Sequence, residues 1–293
     1  MYPARRVLYV KLVLMAVFWS GVFPAVNIVL RSMDLFTSVF LRFGLASLIL
    51  LALLRWREAR LPRLSPRESV LVVVLGLVGI TVYNCLFAYG LSLVEASRAA
   101  LIVPTSPAFT AIFAALLLGE RLGGVRAAGV GLSVLGALWV LGRGSFQALA
   151  GFELGVGELV LVACIFIWSA YTLLGRVALS SLSPLALIAY VMALGSAPIG
   201  IPAWLEHASL ADVTWQGWTA LAYLVVFGTV LPFLWFYEGV KALGAARAAQ
   251  FINLVPPLAV LEAVFLLNEK LTPGLLAGMA LVVAGLYLTN KPR

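Results

Sequence analysis

Two stretches decide the fold: residues 95–122, EASRAALIVPTSPAFTAIFAALLLGERL, and residues 243–273, LGAARAAQFINLVPPLAVLEAVFLLNEKLTP. A shift of 149 positions aligns them without a gap, so that Arg98 meets Arg247 and Glu120 meets Glu269. Charged residues paired in one register do not follow from a shared apolar composition, so we interpret the chain as an internal duplication.

The same register continues outside these stretches. It pairs Trp19 with Trp168, Gly79 with Gly228, Pro107 with Pro256, Gly129 with Gly278, and Gly136 with Gly285. We therefore predict two repeats, residues 1–149 and 150–293.

The composition predicts an all-α, polytopic membrane protein. Hydrophobic residues make up 63% of the 293 residues and charged residues 11%, against roughly 45–50% and about 25% in soluble domains. Apolar windows long enough to cross a bilayer predict ten transmembrane helices at 7–30, 35–54, 69–91, 95–118, 125–142, 155–178, 184–204, 215–241, 245–268 and 273–290. The short stretches between them leave no room for an attached ATPase or nucleic-acid-binding domain.

The placement of basic residues predicts the topology. Of the 20 Lys and Arg residues, fifteen fall on the side of the N-terminus, four on the other side, and Arg42 lies within a helix. This asymmetry satisfies the positive-inside rule with both termini in the cytoplasm. It also accounts for the net charge of +8 without a nucleic-acid partner.

Each repeat holds five predicted helices, so the second repeat enters the membrane from the opposite side. Glu120 is then cytoplasmic and Glu269 external. Inverted repeats of this kind are common in secondary transporters, where they support alternating access to a site near the bilayer midplane.

The quoted stretches each contain a proline-broken fourth helix that ends in Glu and a basic residue, and Arg42 and Phe43 lie in the second helix. In these features the whole chain resembles the EamA-type exporters of the drug/metabolite transporter superfamily, with a general likeness to the YddG-like aromatic amino-acid exporters. The resemblance implies a ten-helix exporter of the cell inner membrane with a central cavity. Members export amino acids, other metabolites, nucleotide sugars or drugs, and we expect no cofactor.

Paired helix breakers mark one side of the expected cavity. Pro104 and Pro107 interrupt the fourth helix, and Pro256 and Pro257 interrupt the ninth. Backbone groups freed in a bilayer are tolerated where they face protein or a wet cavity, so we predict hinge or gate positions here. The alternative is a pair of kinks that improve packing.

Aromatic residues mark another side. Trp19 and Trp168 lie about a dozen residues into their helices, deeper than the interfacial belt that Trp prefers. Tyr83 and Phe87 share a helix face, and Tyr171 lies one turn from Trp168. Such rings can hold a flat organic solute; the alternative is helix packing or lipid contact.

Two charges lie well inside predicted helices, Arg42 and Glu262, both about 10 Å below the outer ends at roughly 1.5 Å per residue. The repeat reproduces neither, since Val191 and Phe113 take their places. Intramembrane charges are candidates for function. Arg42 is either a substrate contact or an anchor that snorkels to the headgroups, and Glu262 is either its partner or a proton carrier.

Neutral polar residues, among them Gln250 and Asn253 before the ninth-helix break, complete a cavity that is apolar, aromatic and sparsely charged. It suits a zwitterion better than a dianion. We therefore predict a secondary exporter of small organic solutes, most simply amino acids including aromatic ones. The alternatives are an exporter of drugs or other metabolites, or a passive channel.

An intramembrane enzyme is excluded because the aspartates and the histidine, Asp34, Asp212 and His207, fall in predicted loops. We assign no catalytic residue and no metal ligand. The oligomeric state stays open, because the glycines of the fifth and tenth helices suit packing within one chain or between two.

Overall fold

The chain folds as a bundle of helices. The computed structural model describes residues 2–58, 62–106, 108–109, 123–141, 155–179, 181–243, 248 and 250–289. Within these ranges all regular elements are helical, and they group into ten spans.

The first repeat contains spans one to five. They are α1 (Tyr2–Ser20) with α2 (Val22–Leu30); α3 (Leu35–Glu58); α4 (Pro66–Leu75), a π-helix (Gly76–Val82) and α5 (Tyr83–Leu93); α6 (Ala96–Ile102) with a 3-10 turn (Val103–Thr105); and α7 (Gly124–Leu141).

The second repeat contains spans six to ten. They are α8 (Val156–Ala178); α9 (Pro184–Ser196), a 3-10 turn (Ala197–Ile199) and α10 (Gly200–Leu205); α11 (Trp215–Val225), a π-helix (Val226–Val230) and α12 (Leu231–Leu243); a 3-10 turn (Gln250–Leu254) with α13 (Val255–Leu267); and α14 (Pro273–Thr289). A further 3-10 turn, Leu210–Asp212, lies before α11.

Five helices in the described ranges are long and apolar enough to cross a membrane. They are Arg6–Leu30, Leu35–Glu58, Pro66–Leu93, Pro184–Leu205 and Trp215–Leu243. Four shorter apolar helices accompany them, Ala127–Leu141, Val156–Thr172, Phe251–Leu267 and Pro273–Thr289. The prediction of a polytopic, all-helical membrane protein is confirmed.

Local sequence explains where several spans begin. Ser65 precedes Pro66 and forms a reciprocal capping box with Glu68 at the start of α4. Ser183 caps α9 by accepting from the Ala186 amide, and Thr214 accepts from the Gly217 amide at the start of α11. Such caps satisfy amide groups that the first turn of a helix leaves unpaired.

The fifth and tenth spans pack closely and run antiparallel. Gly129 faces Gly285 at one end of the pair, Gly136 faces Val282 in the middle, and Gly278 faces Val140 beyond it. A Cβ atom at any of these glycines would overlap the opposite helix. The fifth and tenth spans are the equivalent last spans of the two repeats. Since they run antiparallel, the second repeat is inverted with respect to the first. The glycines therefore serve packing within this chain.

The two repeats are interleaved. The first span packs on the eighth, and the third packs on the sixth, which is the same contact with the repeats exchanged. The second, fourth and fifth spans pack on their own equivalents, the seventh, ninth and tenth. This pattern is that of a pseudo-two-fold axis through the centre of the bundle.

Departures from α-helical geometry recur at equivalent places. The π-helices Gly76–Val82 and Val226–Val230 lie at matching positions of the third and eighth spans, and the 3-10 turns Val103–Thr105 and Gln250–Leu254 overlap in the same register in the fourth and ninth. Both pairs flank the centre of the bundle. π-helical turns are frequent at functional sites.

We call the end of the bundle where the first span finishes the far end. Here two carboxylates of the second repeat cap helices of the first repeat. Glu206 accepts from the Phe36 and Thr37 amides at the start of α3. Glu269 accepts from the Ala96 and Ser97 amides at the start of α6. Negative charge is favoured at a helix N-terminus, so both contacts fasten the repeats together there.

A candidate substrate cavity at the pseudo-two-fold axis

A cavity of about 90 Å³ lies where the interrupted spans meet. Residues of both repeats line it: Trp19, Val22, Phe23, Arg42, Tyr83, Asn84, Phe87, Val103, Pro104, Ser106, Trp168, Phe233, Ile252 and Val255. The wall is therefore mostly aromatic and aliphatic, with one formally charged side chain among these residues, Arg42.

The aromatic wall is a continuous set of ring contacts. Trp19 and Trp168 meet edge to face with centroids 6.2 Å apart, and Trp168 lies 5.1 Å from Tyr83. Tyr83 stacks on Phe87 at 5.8 Å. The structure thus brings together four of the residues that the sequence nominated. Phe233, 5.5 Å from Trp19, joins them and was not predicted.

Tyr171 does not line this cavity. Its ring lies behind Trp168, at 5.5 Å, and packs directly against Gly79. The side chain is buried and supports the wall from outside.

Arg42 is buried and reaches across to the eighth span. Its Nε donates to Thr229 Oγ1 at 2.9 Å, and its Nη2 donates to the Gly228 carbonyl at 3.3 Å. Only 6% of the residue is exposed, so the interpretation of Arg42 as a snorkelling anchor is wrong. A snorkelling side chain keeps its charged group in water, whereas this guanidinium faces the cavity.

The bond to Gly228 explains why Arg42 has no counterpart in the repeat. Gly79 is the residue equivalent to Gly228, and its carbonyl accepts from Asn84 Nδ2 at 2.9 Å. The residue equivalent to Asn84 is Phe233, which cannot donate. A π-helix frees carbonyl groups that must find a donor in a bilayer. Arg42 donates to the Gly228 carbonyl in the second repeat, as Asn84 donates to the Gly79 carbonyl in the first.

Glu262 and Arg42 do not form an ion pair; among the described residues the salt bridges are Lys11 with Glu238 and Arg98 with Glu158. Glu262 Oε1 lies 2.8 Å from Ser20 Oγ. Its Oε2 is buried without a hydrogen-bond partner in the described part of the chain. Glu262 is not among the residues that line the cavity.

The remaining nominated residues are spread around the breaks. Pro104 lies in the fourth-span 3-10 turn and lines the cavity. Pro256 and Pro257 occupy the first turn of α13 and are not lining residues. Pro107 lies outside the described residues.

Of the two polar residues that the sequence nominated at the ninth-span break, the structure describes the side chain of Asn253. Asn253 Nδ2 donates to the Leu286 carbonyl of the tenth span at 3.4 Å, which is a bond between helices. Gln250 begins the 3-10 turn, and its side chain lies outside the described part of the structure.

No group of three or more His, Cys, Asp or Glu side chains that could hold a metal ion occurs among the described residues. The cavity offers stacking surfaces, a few neutral polar groups and one guanidinium. It can bind a small organic molecule and orient it through a single anionic group.

Comparisons with known proteins give the family and the fold of the chain. The model of the EamA-like transporter family matches residues 7–142 and 155–291. The chain is similar to the uncharacterized transporter YyaM of Bacillus subtilis, with 27% identity over 97% of this chain and 93% of that one. It is also similar to a probable terminal-alkyne amino-acid exporter of Streptantibioticus cattleyicolor, with 27% identity over 96% and 92%. One crystal structure shares the fold, with a TM-score of 0.71 and 20% identity over 97% of both chains.

Proposed function

The chain belongs to the EamA-like transporter family, and we propose that it exports amino acids, including aromatic ones, through the cavity at the pseudo-two-fold axis. Members of this family are transporters and not enzymes. The observation that carries the proposal is the joining of an aromatic wall, built by both repeats, to a single buried guanidinium.

The aromatic wall supports a flat or apolar side chain as one part of the substrate. Trp19, Trp168, Tyr83 and Phe87 present ring edges and faces to the same space. Offset and edge-to-face ring contacts contribute about 0.5–1.5 kcal/mol beyond the burial of apolar area. A substrate ring can therefore replace contacts that the wall residues make with one another.

Arg42 supports a carboxylate as the other part. Its guanidinium carries more N–H donors than its bonds to Thr229 and Gly228 use. A carboxylate in the cavity would meet these donors in a charge-assisted bond. The ammonium group of the same zwitterion can lie against the face of a Trp ring.

The amino-acid assignment is also supported by a relative. The probable exporter of a terminal-alkyne amino acid matches this chain from end to end. Its name gives an amino acid as the solute of that relative.

Alternating access is supported by the symmetry of the breaks. The π-helix and the 3-10 turn of one repeat lie at positions equivalent to those of the other repeat. A conformational change in the first repeat can therefore be matched by the opposite change in the second. We place the protein in the plasma membrane with both termini in the cytoplasm, because the basic residues concentrate on that side. The far end then faces outward.

Exchange in proteoliposomes tests the function. Vesicles loaded with unlabelled phenylalanine, leucine or alanine are expected to take up the labelled amino acid in a saturable manner, with the aromatic substrate preferred. Single-channel current in planar bilayers would indicate a passive channel instead. If a panel of amino acids gives no exchange while an apolar drug-like cation does, the substrate assignment is wrong.

A further inference from the structure

The Ser20 hydroxyl lies within hydrogen-bonding distance of two oxygen atoms. Ser20 Oγ lies 2.6 Å from the Val17 carbonyl oxygen and 2.8 Å from Glu262 Oε1. The serine hydroxyl has one proton and a carbonyl has none, so each contact has a proton of its own only when the Glu262 carboxyl group is protonated. If Ser20 donates to Val17, the second proton must belong to the Glu262 carboxyl group, which then donates to Ser20.

The other carboxyl oxygen gives the same result. Glu262 Oε2 is buried and has no hydrogen-bond partner among the described residues. The Glu262 side chain is half-buried, and an ionised carboxylate would place negative charge on this buried oxygen without a donor, which is unfavourable. A neutral acid leaves only a carbonyl oxygen without a donor.

Among the described residues no cation forms an ion pair with Glu262, and Arg6 and Tyr9 of α1 are exposed. On the helices that pack against α13, Lys11 of α1 pairs with Glu238 and Arg98 of α6 pairs with Glu158. The α2 helix has no titratable side chain, and the tenth span contributes Tyr287, which is exposed. Tyr223 of the eighth span donates its hydroxyl proton to the Phe18 carbonyl.

We infer that Glu262 is a proton-binding site whose occupancy is coupled to transport. This inference rests on the proposed function and adds the coupling ion, a proton, to it. The conformation described here holds the protonated acid. Release of the proton to water leaves a carboxylate that needs new partners, so it requires the surroundings to rearrange.

The surroundings of Glu262 are connected to the cavity. Ser20 lies next to Trp19, which lines the cavity, and next to Gly21, where the first span is interrupted between α1 and α2. Tyr223 packs directly against Gly21. A change in the protonation of Glu262 therefore affects the helix interruption at Gly21. This interruption lies two residues after Trp19, which lines the cavity.

Infrared difference spectroscopy between acidic and alkaline buffers tests the site without any substrate. Wild-type protein in nanodiscs is expected to show the carbonyl band of a protonated carboxyl group, and Glu262→Gln is expected to lack it. Ser20→Ala should shift the band, because the acceptor of the proton is gone. Glu95→Gln, at an exposed carboxylate, is the matched control and should keep it. Identical spectra for wild type and Glu262→Gln would overturn the inference.

Proton flux in proteoliposomes tests the coupling. When a gradient of labelled substrate is imposed, a pH dye inside the vesicles should report proton movement for wild type and for Glu95→Gln. In Glu262→Gln the ratio of proton flux to substrate flux should fall to zero. Substrate flux without proton flux in wild type would overturn the coupling and leave the proposed function standing. If wild type moves no amino acid, the proposed function fails, and the infrared band decides the proton site alone.

Discussion

Trp19 and Trp168 occupy equivalent positions in the two repeats, and their rings meet edge to face at 87° with centroids 6.2 Å apart. Equivalent residues touch only where the symmetry axis passes between them. Both side chains line the cavity. The candidate site therefore lies on the axis, where a substrate is equally accessible to both repeats.

Truncation of either tryptophan should weaken exchange of aromatic amino acids more than exchange of aliphatic ones. Trp19→Ala and Trp168→Ala each remove a large stacking surface, while Trp19→Phe and Trp168→Phe keep part of it. The measurement is the KM for labelled phenylalanine and for alanine in proteoliposomes. Trp204→Ala is the control, since Trp204 is 74% exposed. Equal effects on both substrates would contradict a stacking role.

Arg42→Ala should destabilise the protein by about 1–3 kcal/mol, because the Gly228 carbonyl loses its side-chain donor. Phe233→Asn places an amide where Asn84 lies in the first repeat, so the double variant should recover much of the loss. The measurement is thermal unfolding in detergent. Because Phe233 also lines the cavity, exchange by the double variant is compared with that of Phe233→Asn alone, and it should be lower because Arg42 binds the substrate carboxylate. Recovery of both properties would reduce Arg42 to a structural residue.

Gly79→Ala and Gly228→Ala should differ despite their equivalence. A Cβ on Gly79 would overlap the ring of Tyr171, whereas a Cβ on Gly228 lies 3.0 Å from a methyl group of Val22. Overpacking a close contact costs about 1–3 kcal/mol, so we expect that loss for Gly79→Ala and a smaller one for Gly228→Ala. Thermal unfolding compares the two. Gly44→Ala is the control, because nothing lies within 4 Å of its added Cβ.

The two ion pairs between the repeats should contribute differently. Arg98 and Glu158 are 3.0 Å apart with side chains 13% and 7% exposed, while Lys11 and Glu238 are 34% and 28% exposed. Glu158→Gln leaves Arg98 buried without its partner and should cost about 3–5 kcal/mol. Glu238→Gln should cost at most about 1 kcal/mol. Chemical denaturation of the reconstituted protein measures both, and a reversed order would show that exposure does not control these pairs.

Cysteines introduced at Asp212 and at Arg63 should label from opposite sides of the membrane in a variant lacking Cys85 and Cys164. Asp212 lies beyond the far end and Arg63 follows α3 at the other end. An impermeant maleimide added to intact cells is expected to reach position 212 and not position 63. Labelling of both positions from one side would contradict the proposed topology.

The spans could be predicted closely from the sequence because hydropathy and caps are local properties. The prediction 184–204 corresponds to Pro184–Leu205 and 215–241 to Trp215–Leu243. The repeat register also held useful information: it paired Gly79 with Gly228, and both lie in π-helices. The bond from Arg42 to the Gly228 carbonyl joins the second span to the eighth, and the sequence alone does not show that these two residues meet.

Single site residues were harder to predict than the site as a whole. Tyr171 and Trp168 are one turn apart, yet packing against Gly79 turns Tyr171 away from the cavity. Arg42 and Glu262 have the same predicted depth, but depth says nothing about direction around a helix axis. Phe233 was overlooked because an aromatic residue in an apolar helix gives no signal until its partner Trp19 is placed beside it.

The hydrogen bond from Arg42 to the Gly228 carbonyl has a consequence for the N-terminal and C-terminal halves when each is expressed alone. The N-terminal half contains both Gly79 and the amide that serves it, whereas the C-terminal half depends on a guanidinium encoded more than 180 residues earlier. Expressed alone, the C-terminal half would lack the Arg42 donor to the Gly228 carbonyl in the eighth span. The two repeats are therefore not interchangeable at this position: the first contains its own donor, and the second takes its donor from the first.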